Sequence, residues 1–169
     1  YLFRGLFFQR NFKNFEAAEK DYRKSIEIDP DCGGCLTQIG FLSERISPDE
    51  MIDFLEKALI VGVDLNFDGK LDPDYYIYGQ LAAIKNVKED YLGAIEYYKR
   101  LINNFQEIDS DGDGKVDDVD YLDDAYASIS QIYYQGLNEE ELSLNFINKA
   151  IEINPDFAAI WILFLDKFS

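Results

Sequence analysis

Two Asp-rich segments of the chain carry side chains that could bind a metal ion. The first reads DLNFDGKLD from Asp64 to Asp72, and the second reads DSDGDGKVD from Asp109 to Asp117. Both place oxygen-bearing side chains at positions 1, 3, 5 and 9 and a glycine at position 6, where the backbone must turn sharply. This is the spacing by which a short loop wraps oxygen ligands around calcium. We therefore predict two calcium ions, bound by loops 64–75 and 109–120.

The two predicted loops differ in how many ligands they supply. For the second loop the predicted ligands are Asp109, Asp111, Asp113, the Lys115 carbonyl, Asp117 and, at position 12, Asp120. For the first loop they are Asp64, Asn66, Asp68, the Lys70 carbonyl and Asp72. Position 12 of the first loop is Tyr75, a poor calcium ligand, although Asp74 could replace it if the following helix began sooner. The second site is therefore predicted to bind calcium more tightly.

The chemistry of these ligands favours calcium over other metals. Oxygen ligands select hard cations, and the chain contains no histidine that would suit zinc or copper. Magnesium is the weaker alternative because it prefers a stricter octahedron and retains several waters. The first interpretation is a structural ion that holds an inserted loop in one conformation. Ordering such a loop costs entropy, and the free energy of ion binding offsets that cost. A calcium-sensing role is the alternative.

The charge balance of the chain excludes some classes of partner. Its 169 residues include 33 Asp and Glu against 16 Lys and Arg, which gives a formal net charge of −17. Such a surface repels nucleic acid and anionic membranes, so we discount both as partners. No run of 18 apolar residues predicts a membrane span in this sequence. Because the chain lacks histidine, it cannot form the Ser-His or Cys-His pairs that nucleophilic catalysis uses. We therefore predict that the chain is not an enzyme.

A Cys-Gly-Gly-Cys segment, Cys32 to Cys35, follows Pro30 at a predicted helix start. A C-x-x-C pair at a helix N-terminus can be redox-active, because the helix dipole favours the thiolate. Thioredoxin-like chemistry would need a preceding strand, which the helical pattern does not offer. The favoured interpretations are structural: a local disulfide in an oxidising compartment, or two free thiols in a reducing one.

Apolar residues recur at helical spacing through nearly the whole chain. Two clear examples are Phe15, Ala18, Tyr22 and Ile26, and then Tyr91, Ala94, Ile95, Tyr98 and Leu101. The prolines fall between such segments, where a helix would start or stop: Pro30, Pro48, Pro73 and Pro155. This pattern predicts an all-α fold of about eight or nine helices.

The helical segments resemble the tetratricopeptide repeat, a helix-turn-helix unit. The first copy is carried by Gly5, Phe8, Phe15, Ala18, Tyr22, Ser25 and Pro30, and another by Tyr78, Leu81, Ala82, Tyr91, Ala94 and Tyr98. Weaker matches are Ile39, Gly40 and Ala58, then Ala150 and Pro155, then Trp161, Phe164 and Leu165. The chain departs from the pattern at Met51 and Ser143, where a small residue like Ala18 is expected. The resemblance implies a right-handed superhelical array of helical hairpins.

The resemblance also implies a domain organisation. We expect one domain over residues 1–169, with repeats at 1–30, 31–63, 76–104 and 121–155 and a partial repeat at 156–169. The calcium loops 64–75 and 109–120 are then EF-hand-like insertions between repeats. Because the chain starts at Tyr1 inside an apolar pattern, we expect it to be a fragment of a longer protein.

Tetratricopeptide arrays usually bind peptides or helices in a groove lined by the first helix of each repeat. Carrying that register over one position at a time nominates Leu2, Leu6, Thr37, Phe41, Tyr76, Asn86, Ser128 and Ile132. This surface is apolar to neutral, so it does not resemble the basic clamps that hold C-terminal carboxylates.

The resemblance and the loops together predict a protein-protein interaction scaffold that contains structural calcium. A calcium-responsive regulator of EF-hand type is the alternative, and part of an enzyme or transport assembly is a distant third. The acidic loops and the cysteine pair favour the periplasm or cell surface.

Overall fold

The computed structural model describes residues 1–42, 45–64, 74–105 and 120–156. These residues form eight α-helices and one π-helical turn, with no strand among them. The helices are α1 (Leu2–Phe12), α2 (Phe15–Ile28), α3 (Gly33–Gly40), α4 (Pro48–Val61), α5 (Tyr75–Val87), α6 (Tyr91–Phe105), α7 (Asp120–Gln131) and α8 (Glu140–Ile153). The π-turn, Ile132–Gly136, lies between α7 and α8. The prediction of an all-α chain is confirmed.

Capping residues define several helix starts. The Asn14 side chain accepts a hydrogen bond from the Ala17 amide at the start of α2. At α4, Ser47 and Glu50 form a reciprocal capping box, and Pro48 is the first helical residue. Both arrangements satisfy backbone N–H groups that lack partners within the helix. These local signals therefore place the helix starts independently of the core.

The chain divides into two compact units, and the first comprises Tyr1–Gln80. Within it α1 packs against α2, α2 against α3, and α3 against α4. Glycines allow the close approaches: a Cβ added at Gly5 would lie 2.6 Å from the Tyr22 ring, and one at Gly40 would lie 2.6 Å from Leu55 Cδ2. Tyr22 and Leu55 are fully buried, so small and large residues interlock in the core of this unit.

An ion pair with a buried carboxylate joins the first two helices. Arg4 donates from Nε and Nη2 to the two carboxylate oxygens of Asp21, at 2.7 and 2.6 Å. The Asp21 side chain is 3% exposed, whereas that of Arg4 is 60% exposed. The hydrogen bonds from Arg4 lower the pKa of Asp21, an effect that burial opposes. The pair therefore fixes how α1 sits on α2.

The second unit comprises Leu81–Ser169. Within it α6 packs against α7, and α7 packs against α8. Ser143, one of the departures from the repeat pattern, is buried in the α7–α8 contact. Ser130 Oγ donates to the Ser143 carbonyl at 2.8 Å and lies 2.9 Å from Ser143 Oγ. A serine is tolerated there because its hydroxyl has a partner.

None of the helices in the described ranges is both long enough and apolar enough to cross a bilayer.

Candidate functional site

A cavity of about 230 Å³ in the second unit brings together residues from several elements. It is lined by the end of α5, the start of α6, and the junction of α7 with the π-turn. The lining residues are Asn86, Val87, Glu89, Tyr91, Gln131, Ile132, Gln135 and Gly136. Two of them, Asn86 and Ile132, belong to the set predicted from sequence to line a partner groove.

The π-turn forms one wall of this cavity. The Leu137 amide donates to the Ile132 carbonyl at 3.1 Å, five residues back instead of the usual four. Gly136 then lies directly against Tyr91, since a Cβ at position 136 would be 2.9 Å from that ring. Only glycine fits there without displacing the tyrosine. The wider turn therefore places Gln135 and Gly136 at the cavity.

The turn between α5 and α6 also lines the cavity. Glu89 adopts a left-handed conformation with φ of 59°, and its amide donates to the Asn86 carbonyl at 2.9 Å. Lys85 Nζ lies 3.1 Å from the Asp90 carboxylate and holds the turn from outside the cavity. Asn86 is half-buried and Val87 is exposed. This wall therefore combines a fixed backbone with an accessible amide and an apolar side chain.

The polar lining of the cavity consists mostly of amides. Asn86, Gln131 and Gln135 each carry an acceptor oxygen and an NH₂ donor. Gln131 Nε2 donates to Gln135 Oε1 at 3.0 Å, which uses one amide hydrogen of Gln131 and the amide oxygen of Gln135. Among the described residues that line the cavity, Glu89 is the one charged side chain. The site suits neutral polar groups, such as the N–H and C=O of a peptide, better than a carboxylate.

The structure places the other predicted groove residues at different depths. Ile132 is buried and lines the cavity, whereas Ser128 is half-buried and is not among the lining residues. In the first unit Leu2 and Thr37 are buried, and the Thr37 hydroxyl donates to the Gly33 carbonyl at 2.9 Å. These two side chains therefore belong to the core rather than to an accessible surface.

Leu6 and Phe41 are half-buried in the first unit. Tyr76 is 42% exposed, with its ring 4.2 Å from that of Tyr75. These three side chains are accessible to solvent in part. The groove formed by the whole predicted set stays a prediction.

Four important lining residues were not among those predicted from sequence: Tyr91, Gln131, Gln135 and Gly136. Gln131 and Gln135 are four residues apart, a spacing that puts both on one helix face. That spacing was visible in the sequence. The π-turn was not, because it depends on the contact between Gly136 and Tyr91.

A larger cavity, of about 950 Å³, lies along α1 and α2 in the first unit. Its lining includes four acidic and four basic side chains: Glu16, Glu19, Asp21, Glu27, Arg4, Lys20, Arg23 and Lys24. Many of these pair with one another, as in the Arg23–Glu19 contact at 2.9 Å and the Lys24–Glu27 contact at 2.6 Å. Charged side chains that already pair with one another have few groups left to bind a ligand. We therefore favour the smaller cavity as the candidate site.

The predicted calcium loops lie mostly outside the described residues. This applies to Asn66, Asp68, Lys70 and Asp72, and to Asp109, Asp111, Asp113, Lys115 and Asp117. Asp120 is the first residue of α7, and its side chain is likewise outside the described part. Within the described ranges no group of three or more His, Cys, Asp or Glu side chains could hold a metal ion.

Two acidic residues at the ends of the first loop are described. Asp64 is half-buried shortly after α4. Asp74 immediately precedes α5, and its carbonyl accepts hydrogen bonds from the Ile77 and Tyr78 amides at 3.0 Å. Burial raises the pKa of Asp74. The helix thus begins at Tyr75, and Asp74 occupies the cap position.

Cys32 and Cys35 form a disulfide, with their Cα atoms 5.2 Å apart. Cys32 Sγ also accepts a hydrogen bond from the Cys35 amide at 3.3 Å. The sequence left open a local disulfide or two free thiols, and the structure contains the disulfide.

Comparison with known proteins supports the repeat at both ends of the chain. The tetratricopeptide repeat family model matches residues 1–32 and 123–157. No curated protein matches this sequence.

Among solved structures, a crystal structure of MamA is similar, with a TM-score of 0.63 and 21% sequence identity. The match covers 87% of this chain and 72% of that one. A second crystal structure of MamA protein has a TM-score of 0.44 at 19% identity, over 89% of this chain and 88% of that one. The chain therefore has an all-helical, tetratricopeptide-like fold, with the family model matching its first and last helical hairpins.

Proposed function

We propose that the chain is a protein-protein interaction scaffold whose second unit binds a peptide segment at the amide-lined cavity. The observation that carries this proposal is the meeting of Asn86 and Ile132 in one cavity. The repeat register assigned Asn86 and Ile132 to the partner groove from two different repeats, and each assignment was made independently of the other. Their proximity is what a shared binding surface requires.

The lining of the cavity supports a particular kind of partner. Asn86, Gln131 and Gln135 could hydrogen-bond the backbone of an extended or turned peptide, because each amide both donates and accepts. Tyr91 and the exposed Val87 offer apolar area for a side chain next to those backbone groups. Glu89 disfavours a carboxylate in the cavity and favours a peptide with a neutral or basic residue there.

Peptide selection on the immobilised chain tests this proposal. Selected peptides would then be titrated against the wild-type chain, Asn86→Ala and Gln135→Ala. We expect each substitution to weaken binding by about 1 kcal/mol, roughly fivefold, because each removes hydrogen bonds to the peptide. Asn103→Ala, at an exposed position of α6 that does not line the cavity, is the matched control and should bind normally.

The proposal fails if selected peptides bind the cavity variants and the control with equal affinity. Binding would then take place elsewhere on the chain.

The second part of the proposal is that the two Asp-rich loops bind structural calcium. What supports it is the donor set, which supplies oxygen ligands at calcium-loop spacing twice in one sequence. The ions would order loops that connect the helical hairpins and neutralise part of the acidic excess. Calorimetric titration of the calcium-free chain should show two binding events, and titration without heat or saturation would exclude this part.

A further inference from the structure

Two lysines and three aromatic rings meet on the second unit. Lys99 is on α6, Tyr126 is on α7, Tyr133 is in the π-turn, and Phe146 and Lys149 are on α8. The Tyr133 ring stacks on Phe146 with the centroids 5.5 Å apart, and the Tyr126 ring is 6.3 Å from Phe146. All three rings are half-buried, whereas both lysines are exposed. These five residues form a lysine–aromatic surface, and none of them lines the amide-lined cavity.

Both lysines contact the same ring. Lys99 Nζ is 5.9 Å from the centroid of Phe146, and Lys149 Nζ is 5.3 Å from it. Lys149 Nζ is also 5.6 Å from the centroid of Tyr126. An aromatic ring attracts a cation through its quadrupole, so Phe146 keeps two positive charges close together. Each ammonium group has three N–H donors, and contact with a ring face leaves donors that can bind a carboxylate.

Neither lysine forms an ion pair with an acidic residue in the described part of the chain. Lys85 of the same unit, by contrast, pairs with Asp90 at 3.1 Å. The chain as a whole has a net charge of −17, yet the lysine–aromatic surface brings two positive charges together without a described carboxylate beside them. Two neighbouring cations repel each other, and an anionic group placed between them removes that repulsion.

We propose that the lysine–aromatic surface binds an internal acidic segment of a partner protein, in which two carboxylates flank an apolar side chain. The carboxylates contact Lys99 and Lys149, and the apolar side chain packs against the stacked Tyr133 and Phe146 rings. Because both ammonium groups flank one ring, about four residues of extended chain, at roughly 3.3 Å per residue, reach from one lysine to the other.

The position and charge of the surface favour this partner over others. Lys99 and Lys149 are on α6 and α8, the second helices of their hairpins, whereas the groove expected of a tetratricopeptide array is lined by first helices. Nucleic acid carries a charge on every nucleotide, so the acidic remainder of the chain repels it strongly. A short segment with two carboxylates meets much less of that repulsion. The surface is separate from the amide-lined cavity, so this inference does not rest on peptide binding there.

A chemical-shift titration of the full chain with a short peptide tests the proposal. The probe is the acetylated and amidated peptide Gly-Ser-Asp-Phe-Ser-Glu-Ser-Gly, and its neutral counterpart has Asn for Asp and Gln for Glu. We expect the acidic peptide to shift the amide signals of Tyr133, Phe146 and Lys149. It should bind roughly fivefold more tightly than the neutral peptide, the size expected for two exposed charge contacts.

Three double variants assign the preference to the two lysines. Lys99→Gln/Lys149→Gln removes both charges but keeps most of the apolar stems, and it should bind both peptides equally. Lys99→Arg/Lys149→Arg keeps both charges and should retain the fivefold preference. Lys13→Gln/Lys20→Gln, at two exposed positions of the first unit, changes the net charge by the same amount and is the matched control. It should bind like wild type.

Several results would overturn the proposal. One is that wild type binds the acidic and neutral peptides equally or binds neither, and another is that the matched control loses the preference as well. Tighter binding of single-stranded oligothymidine than of the acidic peptide at the same signals would identify a nucleic-acid surface instead. Asn86→Ala should leave the affinity for the acidic peptide unchanged, and a loss in that variant would place the peptide in the amide-lined cavity.

Discussion

At the scale of single residues, the Arg4–Asp21 pair makes the stability of the first helical hairpin depend on pH. The pKa of Asp21 lies below its ordinary value because Arg4 hydrogen-bonds to the carboxylate. A carboxyl whose pKa is lower in the folded state contributes stability above its unfolded pKa, about 4, and loses it as the pH falls through the folded value. The contribution is therefore complete at neutral pH.

Asp21→Asn tests this dependence. We expect the variant to have a lower melting temperature than wild type at pH 7, with the difference shrinking below about pH 4 as the wild-type carboxyl becomes protonated. Asp53→Asn, at an exposed position of α4, is the control for a general effect of removing one negative charge. A difference between Asp21→Asn and wild type that stayed constant down to pH 2 would show that the pair does not depend on ionised Asp21.

The predicted calcium ligands provide a second test at the residue scale. Asp113→Ala should abolish the tighter calcium event, since the second loop has an acidic residue at position 12, Asp120, whereas the first has Tyr75. Asp68→Ala should abolish the weaker event. Calorimetry of both variants beside wild type measures the two affinities separately. Equal affinities would show that Asp74 or a water molecule supplies the missing ligand of the first loop.

At the scale of elements, the start of α4 depends on its capping box. The Glu50 amide donates to Ser47 Oγ at 3.2 Å, and the Ser47 amide donates to the Glu50 carboxylate at 3.3 Å. Ser47→Ala should cost about 1 kcal/mol and lower the melting temperature by about 2 to 4 °C for a chain of this size. Ser47→Asp keeps an acceptor at the cap and should retain most of the stability. If both variants melted alike, side-chain capping would not be what stabilises this helix start.

The positions of most helices could be predicted from sequence because they follow from local chemistry. Pro48 is the first residue of α4, and Pro155 follows soon after the end of α8. The π-turn could not be predicted, because it arises where Gly136 packs against Tyr91 of another helix. Local preference alone predicts a continued α-helix there.

The same distinction applies to the candidate site. The repeat register identifies which helix face Leu2, Thr37, Asn86 and Ile132 occupy, but burial depends on what the neighbouring helices place over that face. Leu2 and Thr37 are covered, whereas Asn86 remains accessible. Gln131, at the end of α7, and Gln135, within the π-turn, both line the cavity. Gln135 and Gly136 reach it because the helix widens at the π-turn, which repeat spacing does not encode.

At the scale of the whole molecule, the strong negative charge and the helical scaffold suggest how calcium would act. A chain with a net charge of −17 repels itself in the folded state, and bound cations reduce that repulsion where acidic residues are densest. An ion that binds the folded loops and hardly binds the unfolded chain must stabilise the fold by linkage. If the two Asp-rich loops bind calcium as we propose, the ion must raise the stability of the helical scaffold.

The melting temperature of the full chain in calcium and in chelator tests this claim most directly. At a calcium concentration about a hundredfold above the dissociation constant, one site contributes roughly 2.7 kcal/mol, which corresponds to about 5 to 10 °C for this chain length. Magnesium at the same concentration should raise the melting temperature less, because the loops suit the larger ion. We expect a rise of this size in calcium that chelator reverses, and a melting temperature unaffected by either would contradict calcium binding by the two loops.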